Sequence, residues 1–321
     1  MYSFLYNIFF ILKREEKRIK NEQGWKVRII KWLVGYIEAY YNLFVVKLYK
    51  TFPTKKAGVT KKKRKQKIII SLTSFPKRID TVWISIETLL RQSLKPDEII
   101  LWLAESQFNN GMESLPQKLL EQQERGLTIR FCDDLRSHKK YYYVMQEYPN
   151  DLVILVDDDT FYTKDLVRKL YQLHKRNPKD IVCMTPAMIY PELSAPPSGW
   201  RKSGVDEKIE HSFAAQPYTG QGTLYPPNSI PQKAFQKELI MEICPYADDL
   251  WLKFMSLVSN TPVTSIYKFR SIPVTIYGTG ENGLWYINAQ EGQNDAQWRK
   301  MLEYFEEDVL AIEGKGILCK K

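Results

Sequence analysis

An α/β fold built on a mostly parallel sheet, with a helical arm ahead of it, follows from three features of the sequence. Short apolar runs without polar alternation, such as Ile68-Ile69-Ile70 and Leu152-Val153-Ile154-Leu155-Val156, read as strands covered on both faces. These runs alternate with helical patterns at the spacing of right-handed crossovers. The charge is also divided. Residues 1–67 hold 18 Lys+Arg against 4 Asp+Glu, a balance of +14, while the remainder holds 29 against 33, a balance of −4. The net +10 of the whole chain therefore describes an arm and not a body, which argues against a nucleic-acid-binding catalytic domain. With 321 residues the chain is long enough to bury a full core. The expected organisation is a basic helical arm over 1–50, a charged linker over 51–66, one large domain over 67–310 and a short tail over 311–321.

In the arm, Met1 to Leu12 is apolar and aromatic but too short to span a bilayer, and no small-residue cleavage site follows it. From Trp25 to Tyr49, Ile29, Leu33, Tyr36, Ile37, Tyr40, Phe44 and Leu48 recur at helical spacing. Charges at 28, 31, 38 and 47 exclude a transmembrane helix on this reading. A basic, aromatic-rich amphipathic helix reads as a membrane-surface anchor; packing on the domain or on a partner subunit is the alternative. Pro53, Gly58 and Lys61-Lys62-Lys63-Arg64-Lys65 mark the linker.

The body opens with a strand over 67–74 that enters a polar loop and Phe75-Pro76-Lys77-Arg78. A loop between a first strand and a first helix (80–91) cradles nucleotides, because its backbone N–H groups point outward. It lacks the glycines of a Walker or Rossmann loop, which disfavours an NTPase or an NAD enzyme. Arg78 and Lys77 there would meet phosphate or serve as surface charges. Strands over 98–103 and 127–132 flank a helix over 115–125, and the second ends at Asp133-Asp134, placed to accept a base or ribose hydrogen bond. Lys139-Lys140 precedes the central strand, and Lys140 is the better placed to reach an anionic ligand.

That central strand stops at Asp157-Asp158-Asp159-Thr160. Ligands bind at the C-terminal edge of such a sheet. Two carboxylates about 4 Å apart repel by roughly 4 kcal/mol at an effective dielectric of about 20, so three need a cation or protons. Oxygen donors this close suit Mg²⁺ or Mn²⁺. If strand geometry persists, Asp157 and Asp159 share one side and Asp158 the other. A solvated turn or helix cap is the ordinary alternative.

Further on come a helix over 164–175, a strand over 180–184 and a proline-rich stretch, Tyr190 to Gly199, that leads into Gly199-Trp200-Arg201, a candidate mobile loop over the site. Gly220 and Gly222 then suit either close backbone approach to a ligand or a tight bulge. Asp248-Asp249 begins an apolar helix, as ordinary caps or as the second carboxylate pair that a hydroxyl-activating base requires. Trp285, Asn288, Asn294, Asp295 and Trp298 suit sugar stacking, with Trp298 the more suited to the core. Cys132, Cys183, Cys244 and Cys319 form no close pair, the usage of a reducing compartment, and three histidines make a multi-histidine zinc site a poor fit.

The segments IIISLTSFPKRI (68–79), LWLAESQF (101–108), LVDDDTFY (155–162), GQGTLYPP (220–227), PYADDLWL (245–252) and NAQEGQNDAQW (288–298) together resemble a GT-A glycosyltransferase. More narrowly they resemble bacterial enzymes that build capsular or cell-surface polysaccharide. The arm lies outside the resemblance. It implies that Asp157-Asp158-Asp159 stands for the family's Asp-x-Asp motif, holding a divalent cation (Mn²⁺ or Mg²⁺) on a nucleotide-sugar diphosphate, with Asp157 and Asp159 as metal ligands. Thr73, Phe75 and Asp133 or Asp134 would line the nucleotide, UDP by family habit, and the Gly220–Gly222 turn would approach the sugar. Asp249 would be the base and Asp248 would orient the hydroxyl of a glycan or lipid-linked glycan acceptor, with inversion and with Lys140 beside the departing diphosphate. The family's C-terminal metal histidine has no counterpart, since every histidine lies at or before residue 211; water, phosphate, Asn288 or Asn294 would take its place. The implied setting is the inner face of the cytoplasmic membrane.

Two rivals stand beside this reading. A haloacid-dehalogenase-type phosphatase also ends an apolar strand in acids, but its motif does not place Phe at position 161, and strands already precede the acids here. A non-enzymatic carbohydrate-binding body on a membrane-binding arm is the other.

Overall fold

The computed structural model describes residues 2–19, 24–189, 192–203, 207–266, 274–279 and 292–316. Its centre is a seven-stranded sheet of β1 (Ile68–Thr73), β2 (Glu98–Ala104), β3 (Leu127–Cys132), β4 (Leu152–Val156), β5 (Ile181–Cys183), β6 (Gln221–Tyr225) and β7 (Val263–Ser265). The strands lie in the order β7-β5-β6-β4-β1-β2-β3. β3, β2, β1 and β4 are mutually parallel, in line with the alternation of the sequence. β6 is antiparallel to both β4 and β5, so it starts at the edge where β4 ends, and the Gly220 turn lies beside the end of β4. β7, with only three residues, was not foreseen.

β1 is buried through Leu72, and β4 is buried throughout, which is why neither alternates. The helices Val82–Leu90 and Leu166–Arg176 cover one face of the sheet, joining Ile68, Ile70, Leu101 and Ile154 in one apolar cluster. The helices Lys139–Glu147 and Asp248–Val258 cover the other, with Ile69, Trp102, Val153 and Trp251. The 115–125 segment is a single α-turn, Gln117–Leu120, followed by 3₁₀ helix. Cys132, Cys183 and Cys244 are buried thiols; Cys319 lies outside the described residues.

The arm is a pair of helices, α1 (Tyr2–Arg18) and α2 (Trp25–Thr51). α2 docks on the domain rather than standing off it. Val34, Tyr41, Val45 and Tyr49 share a cluster with Trp83, Phe161, Val274 and Ile276, and Phe9 of α1 completes it. By length and composition α2 is long and apolar enough to cross a membrane, so charges at 28, 31, 38 and 47 do not by themselves exclude a span.

Candidate active site

Parallel strands put their C-terminal ends on one edge, and the antiparallel β6 starts there. The loops after β1, β3 and β4, and the Gly220 turn before β6, therefore meet. The three acids lie past β4, whose ladder ends at Val156. Asp158 and Asp159 form a turn instead of continuing the strand, so their arrangement comes from hydrogen bonds and not from pleat alternation.

Asp158 is buried. It accepts from Ser74 Oγ at 2.5 Å and from Arg78 Nη1 at 2.7 Å. Arg78 also reaches Asp159 Oδ2 at 2.9 Å and donates to the Thr279 carbonyl at 2.9 Å. The guanidinium anticipated as a phosphate contact or a surface charge is thus a buried clamp on the acid turn. Asp157 faces the other way and is half exposed. Its Oδ1 accepts from Lys140 Nζ at 2.9 Å, and its carboxylate presses on Gly220, where an added Cβ would lie 1.8 Å from Oδ2. Gly220 therefore makes room for a carboxylate. Gly222, with φ of 98°, sits at the register shift between β6 and β4 and is the bulge.

Lys140 is buried and also reaches Asp248 Oδ2, at 2.8 Å. One ammonium thus bridges the two acidic groups, which are 91 positions apart in the chain. Its own helix is held in place by Ser71 Oγ, which donates to the Lys140 carbonyl at 2.6 Å. His138, just ahead, donates from Nε2 to the Cys244 carbonyl at 2.7 Å and so ties that helix to the loop before Asp248. Burial holds His138 neutral, pushing its pKa down to about 4.

The two carboxylates of the second pair differ. Burial pushes the Asp248 carboxyl up, but Lys140, helped by His138, outweighs it and draws it below its usual range. Asp249 is pushed up to about 7 by burial and by the charge of Asp248. Thr219 holds both, its N–H donating to Asp249 Oδ1 at 3.1 Å and its hydroxyl lying 3.2 Å from Asp248 Oδ2. A carboxylate titrating near neutrality beside one locked in the ionised form is the pairing that acid–base chemistry uses.

Asp159 is likewise pushed up to about 6, by burial and then by Asp157. Two neighbouring carboxylates repelling each other, one half exposed, fit a hard divalent cation that takes its remaining oxygens from a diphosphate and water. Among the described residues no group of three or more His, Cys, Asp or Glu side chains forms a complete cage.

Other anticipated residues rim this edge. Thr73 Oγ1 donates to the Trp102 carbonyl at 2.8 Å, and the ring of Phe75 lies under Arg78 at 5.5 Å. Asp134 is held by Gln107, Lys139 and the Arg136 N–H; Asp133 pairs with Lys237 at the surface. The Pro196–Trp200 loop packs instead of standing free: Trp200 is edge-on to Trp298 at 5.0 Å, and Ser198 binds Asp295. Trp298 is core. Trp285 and Asn288 lie outside the described residues.

Four contributors went unread in the sequence: Ser74, His138, Thr219 and Tyr162. Tyr162 is buried under the acid turn, where its hydroxyl donates to the Gly220 carbonyl at 2.5 Å and accepts from the Asp157 N–H at 2.7 Å. Its five-residue spacing from Asp157 was the available signal.

Residues 72–225 match the family model for Glycosyl transferase family 2, a range that holds the acid turn and the Gly220 turn and stops short of Asp248. No curated protein matches the chain. Among solved structures, TarS 1–349 of S. aureus is similar at 8% identity and TM-score 0.41, over 63% of this chain and 58% of its own, so this chain spans less than two thirds of that fragment. The same protein in complex with UDP aligns at 9% identity and TM-score 0.42, over 63% and 58%. The mannosyltransferase PcManGT from Pyrobaculum calidifontis, in complex with GDP-Man and Mn2+, aligns at 8% identity and TM-score 0.45, over 99% of this chain and 88% of its own. The Glycosyl transferase family 2 segment, just under half of the chain, thus spans the acid turn and the Gly220 turn on a mostly parallel sheet.

Proposed function

We propose that the enzyme moves a sugar from a nucleotide-sugar to a hydroxyl of a glycan or lipid-linked glycan, with inversion, in the assembly of cell-surface polysaccharide. The observation that carries this reading is the Lys140 bridge, 2.9 Å to Asp157 and 2.8 Å to Asp248. It sets a donor-side acid turn and a base-side carboxylate pair around one ammonium. Asp249 takes the proton of the acceptor hydroxyl as its oxygen bonds to the anomeric carbon. The bond from that carbon to the diphosphate oxygen breaks, and the electron pair leaves with the nucleoside diphosphate. Asp248, ionised and held by Lys140 and Thr219, fixes the acceptor side. Asp157 and Asp159 would hold a divalent cation, which when bound supplies positive charge to the diphosphate. Thr73, Phe75 and the 133–134 acids line the nucleotide end, with UDP the first nucleotide to test.

A panel of UDP- and GDP-sugars, incubated with the protein and Mn²⁺, tests this through slow donor hydrolysis and stabilisation of the fold. Release of free sugar from one donor, absent in Asp159→Ala, is the expected result. Hydrolysis of a generic phosphomonoester with no nucleotide-sugar turnover would return the enzyme to the phosphatase reading.

A further inference from the structure

The outer face of the arm is a stripe of large apolar and aromatic side chains that the domain does not cover. On α2, Trp25, Ile29, Trp32, Tyr36, Tyr40 and Leu43 are all exposed, the last at 74%. Spaced by three or four residues, they fall on one line along the helix. The buried residues Val27, Val34, Tyr41 and Val45 repeat on the opposite side, against the domain. Trp32 stacks on Tyr36 at 5.6 Å and Tyr40 on Phe44 at 5.9 Å, so the stripe is a built aromatic surface and not scattered side chains. Phe4 and Ile11 of α1 and Phe52 after α2 are exposed as well. A monomer rarely leaves an apolar patch this continuous to water.

We infer that this face lies on an anionic membrane surface, with α2 in the plane of the interface and the catalytic domain on its other side. Two observations select a lipid surface over a protein partner. Trp and Tyr, whose rings suit the headgroup level, dominate the stripe. The same 67 residues carry the +14 balance, including the basic run at 61–65, while the rest of the chain is net negative. An anionic leaflet complements this arm and repels the body. The docked face argues for lying on the membrane rather than crossing it. Asn42 Nδ2 donates to the Thr275 carbonyl at 3.0 Å and Asn42 Oδ1 accepts from the Tyr277 N–H at 2.8 Å, and a crossing helix would surrender both. The arrangement also serves the reaction read above, because a lipid-linked acceptor is then presented at the same surface.

The full chain, sedimented with vesicles of neutral phosphatidylcholine and with vesicles containing phosphatidylserine, tests the inference. Binding is expected only with the anionic vesicles, weakening at least about tenfold as salt rises from 0.05 to 0.5 M. The triple variant Trp25→Ser, Trp32→Ser, Leu43→Ser should lose binding roughly a hundredfold while keeping nucleotide-sugar binding, since none of the three touches the site. Alkaline carbonate should release the wild type. Retention after carbonate would mean a spanning helix. A vesicle-independent dimer abolished by the triple variant would mean that a second copy covers the face. Equal binding to neutral vesicles, or binding unaffected by the variant, would also overturn the inference. Sugar transfer to soluble acceptor mimics is read in parallel, so a wrong catalytic assignment shows there and not in the sedimentation.

Discussion

Asp249 shows how one residue's surroundings choose its chemistry. It and Asp248 are neighbours in sequence, yet Lys140 keeps one ionised while burial and the other's charge push Asp249 up to about 7. A base must be unprotonated to act, so kcat/KM should fall as pH drops below about 7 and level off above it. Asp249→Asn should lower transfer roughly a thousandfold, within the usual span for removing a general base, and leave donor binding by calorimetry unchanged. Loss of both together would remove Asp249 from the role. At Gly220 the argument is steric. Its place beside Asp157 leaves no room for a methyl group, and its φ is not in the left-handed region, so Gly220→Ala acts on the carboxylate and not on the backbone. Mn²⁺ and donor affinities should drop about ten- to a hundredfold, the usual effect of disturbing the support of a metal ligand. Unchanged Mn²⁺ affinity would show that Asp157 is no ligand.

At the level of elements, the acid turn is braced from behind by the arm. The short strand Thr160–Phe161 pairs with Val274–Thr275, the Ile276 N–H donates to the Asp159 carbonyl at 2.8 Å, and Tyr41 of α2 is edge-on to Phe161 at 5.3 Å. Asn42 holds the same segment by two hydrogen bonds. Asn42→Leu should strand the Thr275 carbonyl and the Tyr277 N–H, at about 1–3 kcal/mol for such groups. Faster amide exchange is expected at 274–279 and at 159–161, with weaker donor binding; exchange unchanged at 159–161 would mean that arm and turn are independent. None of this bracing was legible beforehand. The apolar runs of β1 and β4 announced themselves because both faces are covered, and the acids at 157–159 and 248–249 stood out because clustered like charges need a reason. Tyr162, Thr219 and Ser74 carry no such mark, since a hydroxyl says nothing of which distant carbonyl or carboxylate it will meet. For Arg78, expected at a phosphate or on the surface, only the fold reveals the buried Asp158 it pairs with. The antiparallel insertion of β6 was likewise invisible, because strand direction is decided by a path through more than thirty intervening residues.

For the molecule as a whole, an acidic cleft in a net-negative body has a thermodynamic signature. Asp158, Asp159 and Asp249 all have carboxyls raised by burial, Asp159 to about 6 and Asp249 to about 7, against an unfolded value of about 4. Between these values the folded state binds more protons than the unfolded one. The contribution to stability is therefore fully present below about pH 4 and lost as pH rises through 6 and 7. Asp248 and Asp134, both lowered, complete their opposite gain near pH 4, whereas His138, pushed down to about 4, and Lys253, pushed down to about 7, both by burial, add stability as pH rises from 5.5 to 8. The share of the acids is therefore read against the double variant Asp159→Asn, Asp249→Asn: from pH 5.5 to 8 the ligand-free wild type should lose melting temperature relative to that variant. Mn²⁺ with a nucleoside diphosphate should close most of that gap, because a cation restores at pH 8 what protons supply at pH 5.5, and the stabilisation should grow with ligand concentration. The double variant should lack this acid-dependent loss without ligand and lose the Mn²⁺ response. The same pH dependence in wild type and double variant would mean that these carboxylates are not the repelling set described here.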